Sequence, residues 1–183
     1  GLIEEASEIV NQLDDPFEQM RCLLPIARWY GYCGELSRTH QIMTEIEAKL
    51  KPNIANYQGQ SRESVVRFYR QWAETESEIG RLDRANHILS ESLNLAKKQL
   101  KDPKSINIHL SRCAVQYAHL SLRFIGRRQP AESEQSLDRA KAIVEQIDDP
   151  WHQVESLLTA IRNYYIQIHN PAQATHFLLQ AIE

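Results

Sequence analysis

The stretch Ile9–Leu24, which holds Asp14-Asp15-Pro16-Phe17, returns scarcely altered as Ile143–Leu158, which holds Asp148-Asp149-Pro150-Trp151. A chain that repeats itself is expected to be built of repeated units, each too small to bury its own apolar face, so that neighbours must stack. Such arrays offer extended surfaces instead of enclosed pockets, and the functional expectation moves toward binding and away from chemistry.

Apolar residues recur at helical spacing along almost the whole chain, and no period-two run of β-branched residues interrupts them. The expected fold class is therefore all-α. Breakers at Asp15-Pro16, Gly34, Lys51-Pro52, Gly80, Asp102-Pro103, Gly126 to Pro130, Asp149-Pro150 and His169 to Pro171 divide the pattern into nine helices. Gly34, Gly80 and Gly126 recur about every 45 residues, and His169 falls near the next position, a spacing that suits helical hairpins. Four hairpins follow, with first helices near 16–33, 60–79, 104–125 and 150–168 and second helices near 35–50, 82–100, 130–147 and 171–183. Residues 3–13 read as the second helix of an earlier, partial repeat. Residues 1–183 then form a single domain, and the start at Gly1 and the end at Glu183 within an apolar pattern predict a segment of a larger protein.

Each Asp-Pro pair has a direct physical reading. The aspartate side chain accepts from free amide hydrogens at a helix start, and proline suits the first helical position. Asp15, Asp102 and Asp149 are expected N-caps, with Glu18 three residues after Asp15 able to complete a capping box. The carboxylate pairs Asp14/Asp15 and Asp148/Asp149 are read as this punctuation and not as metal or acid–base sites.

With 42% hydrophobic and 25% charged residues the chain is expected to fold, and its net charge of -3 gives no global attraction to nucleic acid or to an anionic membrane. Cys22, Cys33 and Cys113 are odd in number and lack CxxC spacing, which predicts a reducing, cytoplasmic setting. No apolar run reaches the about 18 residues of a membrane span. The sequence contains no GxGxxG, P-loop, HExxH or GxSxG motif, and its seven histidines are scattered. No enzymatic activity, cofactor or metal is expected.

Gly80-Arg81-Leu82-Asp83-Arg84-Ala85, continued by Leu89, Ser92 and Leu93, resembles the hairpin turn and following helix of the tetratricopeptide repeat. Similar series run through Gly34, Leu36, Thr39, Met43 and Ile46 and through His169, Ala174, Leu178, Ala181 and Ile182. Leu23, Ile26, Ala27 and Tyr30 look like the packing series of that family's first helix. The period exceeds the about 34 residues of the standard repeat, and Arg127 to Pro130 lengthens the third turn and moves the small residue toward Ser133. The resemblance implies antiparallel hairpins stacked in a right-handed α-solenoid, with a concave wall of first helices that binds a partner. Armadillo or HEAT-like stacking is the alternative helical arrangement.

If Leu23, Ala27 and Tyr30 pack inward, Arg21, Arg28 and Tyr32 project toward that wall, since residues three or four apart share a helix face. Corresponding positions hold Arg67, Arg70, Gln71 and Glu74, then Arg112, Gln116, His119 and Arg123, then Glu155, Arg162 and Tyr165. Most other aromatic residues are expected in the core, leaving Tyr32 and Tyr165 as groove candidates. Arginine makes bidentate contacts with carboxylate or phosphate, so the wall suits an acidic peptide or helix of another protein. An ordinary solvated face is the competing reading. Lys104, Asn107 and Asn163 are too scattered to form the lysine and asparagine set with which some tetratricopeptide domains hold a terminal carboxylate. The expected function is a non-enzymatic protein–protein interaction scaffold. The alternatives are a ligand- or peptide-sensing regulatory domain and a single-stranded RNA-binding repeat, the latter disfavoured by the pI near 6.2. Self-association through the end helices is also expected from their apolar faces.

Overall fold

The computed structural model describes residues 1–53 and 61–180, with backbone alone at 51–53, 162–163, 177–178 and 180. The elements are α1 (Leu2–Asn11), α2 (Pro16–Tyr32), α3 (Leu36–Asn53), α4 (Arg62–Glu78), α5 (Leu82–Gln99), α6 (Pro103–Gly126), α7 (Pro130–Val144), α8 (Pro150–Ser156), a π-helical stretch (Leu157–Arg162), α9 (Asn163–Gln167) and α10 (Pro171–Gln180). No strand occurs among the described residues, and the fold is all-α. Lys51-Pro52 does not end its helix, because α3 runs on to Asn53. Ala181 and Ile182 lie outside the described residues, as does the side chain of Leu178.

The three Asp-Pro helix starts have one chemistry. Asp15 accepts from the Phe17 amide at 2.8 Å, Asp102 from Ser105 at 2.9 Å and Asp149 from His152 at 3.0 Å. In each case the proline that follows sits where its missing N–H removes no helical bond. Glu18, three residues after Asp15, has its carboxylate 3.0 Å from Arg21 Nη1.

Hairpin turns close by a shared device. A residue with positive φ stands at Gly34 (+77°), Gly80 (+86°), Arg128 (+60°) and His169 (+57°). The next amide then donates back to the carbonyl five residues earlier: Glu35 to Tyr30, Arg81 to Glu76, Gln129 to Phe124 and Asn170 to Tyr165, at 2.8 to 3.0 Å. His169 thus occupies the turn position itself. Gly126 does not: it is the last residue of α6, and the two additional turn residues move the left-handed position to Arg128.

Packing links the first helices to one another. Helix α2 contacts α3 and α4, α4 contacts α5 and α6, and α6 contacts α7 and α8. One apolar core extends from Val10 to Ala174. Its largest members include Phe17, Phe68, Tyr117 and Phe124, all with almost no exposure, and each such burial stabilises the fold by about 1.5–3 kcal/mol. Phe17 and Phe68 stack across the α2–α4 seam with centroids 5.5 Å apart. Farther along that seam Gly31 lies so close to Ile79 that a Cβ would fall 2.8 Å from Ile79 Cγ2.

The duplicated segments diverge in burial. Phe17 is fully buried beneath α4, whereas its counterpart Trp151 is 73% exposed at the start of α8. The π-helical stretch is a second divergence. A π turn holds one residue more than an α turn, which rotates everything after it by about 100°. Tyr165 consequently lies buried against Tyr164, with Lys141 of α7 over its ring, and the expectation that it faces a groove is corrected. Most of the other aromatic residues are buried, with Trp29 and Trp151 exposed.

Candidate functional site

Helices α4, α6 and α8 together bound an open groove of about 500 Å³, lined on α4 by Arg70 and Glu74, on α6 by Arg112, Gln116 and His119, and on α8 by Trp151 and Glu155. The groove continues on one side into a recess between α4, α5 and α6 that reaches Arg123, and on the other into a cleft of about 170 Å³ bounded by Arg67, Arg70, His109 and Arg112. Six of the expected site residues, Arg67, Arg70, Arg112, Gln116, His119 and Arg123, therefore line one connected surface.

The arginines that line that surface, taken with Arg21 and Arg28 of α2, which do not line it, fall into two electrostatic groups. Arg28 is half-buried, bridges to Glu74 at 3.3 Å and pairs with Glu78, so it ties α2 to α4; these carboxylates raise its pKa against the opposing effect of burial. Arg21 is paired with Glu18. Arg123 donates to the Ser77 carbonyl at 3.0 Å, near the C-terminal end of α4, where a cation is favoured. These three are engaged within the protein.

Arg67, Arg70 and Arg112 are not neutralised in this way: none has a carboxylate within ion-pair distance among the described residues. Gln116 orients Arg70. With its amide placed to satisfy both bonds, it donates to the Arg70 carbonyl and accepts from Arg70 Nη1, each at 3.2 Å. Arg70 Nε is buried and has no acceptor. Burial lowers the Arg70 pKa, with the charges of Arg112 and Arg67 pushing in the same direction and Cys113 and Glu74 opposing.

The remaining expected residues are dispersed. Tyr32 is 70% exposed at the end of α2, away from the groove lining, and Gln71 is half-buried on α4 without lining it. The Arg162 and Asn163 side chains lie outside the described residues. Asn107 is buried and accepts from the Asp148 amide at 3.2 Å, a structural bond joining α6 to the turn before α8. His119 sits on the groove wall, its pKa lowered by partial enclosure and then by Arg123.

Sequence reasoning missed two constellations. His109 and Cys113, four residues apart on α6, meet at 3.3 Å, and Ser92 of α5 stands 3.1 Å from the same His109 Nε2. Because the Ser92 hydroxyl donates to the Val66 carbonyl at 3.1 Å, its oxygen is left to accept from His109 Nε2–H. Their i, i+4 spacing was visible in the sequence. This grouping has the wrong electrostatics for a nucleophile and base: burial pushes the Cys113 thiol up to about 12 and the His109 imidazole down to about 4, so both are neutral at pH 7.

The second constellation is an ionic cluster at the α4–α5 turn. Glu76, with no exposure, accepts from the Trp72 indole at 3.0 Å and from Arg84 Nε at 3.2 Å, while Arg81 Nε stands 3.1 Å from its other oxygen without hydrogen-bond alignment. Both arginines also reach Glu47 of α3. Three alternating glutamates, Glu74, Glu76 and Glu78, gave no sign in the sequence that the middle one turns inward.

No protein-family model, curated protein or solved structure matches the chain. The site must therefore be interpreted from its own chemistry. Among the described residues no group of three or more histidine, cysteine, aspartate or glutamate side chains is placed to hold a metal, and no helix is long and apolar enough to cross a membrane.

Proposed function

We propose that the chain is a helical-repeat interaction module, similar in plan to tetratricopeptide-type α-solenoids, whose wall of first helices receives a segment of another protein. The observation that carries this reading is the connected groove across α4, α6 and α8, in which exposed Arg112, His119 and Trp151 face solvent beside the buried apolar core. Helices supply such a wall with little reorganisation on binding, which favours affinity. The role is non-enzymatic: the Ser92–His109–Cys113 contact is closed to solvent and held neutral, and it serves packing between α5 and α6. The four shared turns, at Gly34, Gly80, Arg128 and His169, support the repeat plan.

A peptide-display selection on the chain tests the reading. Selected peptides should bind the unaltered protein and lose affinity for His119→Trp, which fills the middle of the groove, and for Trp151→Ala. Peptides that bind both variants as well as the parent, with helicity unchanged, would place the binding surface elsewhere and overturn it.

A further inference from the structure

We infer that the cleft formed by Arg67, Arg70 and Arg112 is a receptor for one phosphoryl group carried on a serine or threonine of the bound peptide. This rests on the reading of the groove as a peptide-binding wall, and it specifies what the peptide must bring.

The argument begins with charge that the fold leaves unanswered. Arg67 and Arg70 stand three residues apart on α4, so they share a face, and Arg112 approaches from α6 to line the same cleft. Elsewhere on the wall each cation has found an internal partner: Arg21 has Glu18, Arg28 has Glu74 and Glu78, and Arg123 has the Ser77 carbonyl. The cleft arginines repel one another, and Glu74 acts on Arg70 only from beyond ion-pair distance. Glu63, a carboxylate that also lines the cleft, stands against the Ser105 hydroxyl, as does Asp102 at 2.7 Å, and the one hydroxyl hydrogen serves either of them. Gln116 fixes the Arg70 guanidinium and leaves its buried Nε without an acceptor.

An oxyanion would answer the charge of the three arginines that line the cleft. A single carboxylate has two oxygens and one charge, enough for one arginine fork. A phosphoryl group has three terminal oxygens and a charge of about -1.5 to -2 near neutral pH, so it can accept from all three guanidinium groups at once. The cleft holds about 170 Å³, several times the roughly 30 Å³ share of one water molecule. It opens into the larger groove through Arg70 and Arg112, which line both, so a peptide lying across α6 and α8 can place one modified side chain there.

Arginine Nε–H resonances report the site directly. Inorganic phosphate, followed by a short alanine-based peptide with a central phosphoserine, should shift the Arg67, Arg70 and Arg112 signals saturably. The matching glutamate peptide should bind at least about tenfold more weakly, the serine peptide should produce no shift, and the double variant R67Q/R112Q should lose at least about tenfold in affinity. K98Q, at an exposed position of α5 that lines neither the cleft nor the groove, should bind as the parent does. Equal affinity for the glutamate and phosphoserine peptides, shifts confined to other arginines, or unchanged binding by R67Q/R112Q would overturn the inference. If displayed peptides still require His119 and Trp151 in that event, the groove stands and only its phosphoryl receptor is lost; groove-independent peptides combined with phosphate bound at the three arginines would give the reverse result.

Discussion

The carboxylate of Glu76 accepts the Trp72 indole hydrogen 3.0 Å away, one helical turn earlier in α4, and neither side chain has more than slight exposure to water. Arg84 spans the pair, its guanidinium 5.6 Å from the indole centroid and its Nε on the same carboxylate oxygen. The turn at Gly80 thus folds over a charged centre that joins α3, α4 and α5.

Removing that centre should weaken the fold. Glu76→Ala leaves an indole donor and two arginines without their shared acceptor, and an expected loss of about 2–4 kcal/mol would be read by urea unfolding. Glu76→Gln retains an oxygen for the indole and should lose less. A Glu76→Ala protein as stable as the parent would show that the cluster contributes no net stability.

The pH dependence of Glu76 has an unusual sign. Burial raises its pKa, with Arg81, Trp72 and Arg84 opposing. Between the unfolded value, near 4.5, and the raised folded value, the native state binds more protons than the unfolded chain. Its contribution to stability must therefore fall as pH rises through that interval. Comparing Glu76→Gln with the parent from pH 4.5 upward should show the parent's stability declining relative to the variant.

His109 acts in the opposite direction. Its pKa falls from 6.5 to about 4, chiefly through burial and then through Arg70, so its contribution is fully present above pH 6.5 and is lost as pH drops through about 4. The shift corresponds to about 3 kcal/mol at most. His109→Gln, which keeps a donor near the Nε2 position, should flatten unfolding free energy between pH 6.5 and 4; an unchanged slope would remove His109 as its source.

Three glycine-to-alanine changes should differ in sign. Gly34→Ala must adopt φ near +77° with nothing within 4 Å, so backbone strain alone should destabilise by about 1 kcal/mol. Gly80→Ala has the same kind of strain at +86° and must also displace the Arg127 side chain, so it should lose somewhat more. Gly126→Ala ends a helix without positive φ and meets nothing within 4 Å, so it should be neutral or stabilising by up to about 1 kcal/mol. Thermal unfolding of the three variants checks the order.

Thiol labelling should separate the cysteines. Exposed Cys33 should react first in the native protein, half-buried Cys22 more slowly, and Cys113, with no exposure and its thiol pushed up to about 12, only on unfolding. Native-state labelling of Cys113 at the rate of Cys33 would contradict its burial.

Helix boundaries were legible because they depend on local chemistry: Asp15, Asp102 and Asp149 cap from within their own turn, and Gly34 and Gly80 take a conformation that side chains resist. Pro25 is the exception, lying exposed within α2 while the helix passes through it. Positions on the wall were less legible because pairing across helices is invisible to periodicity. Arg28 and Arg112 look alike in sequence, yet only Arg28 meets glutamates from another helix. Tyr165 was misplaced because an α-helical phase was carried through a π-helical stretch.

That stretch behaves as a dislocation within the helical run from Pro150 to Gln167. The segments beginning at Ile9 and Ile143 align without a gap as far as Leu158, but the wider coil from Leu157 to Arg162 offsets the angular phase of all that follows. Two hairpins with nearly the same text can therefore display different faces, and equivalence between repeats has to be judged by rotation about the helix axis instead of by aligned position.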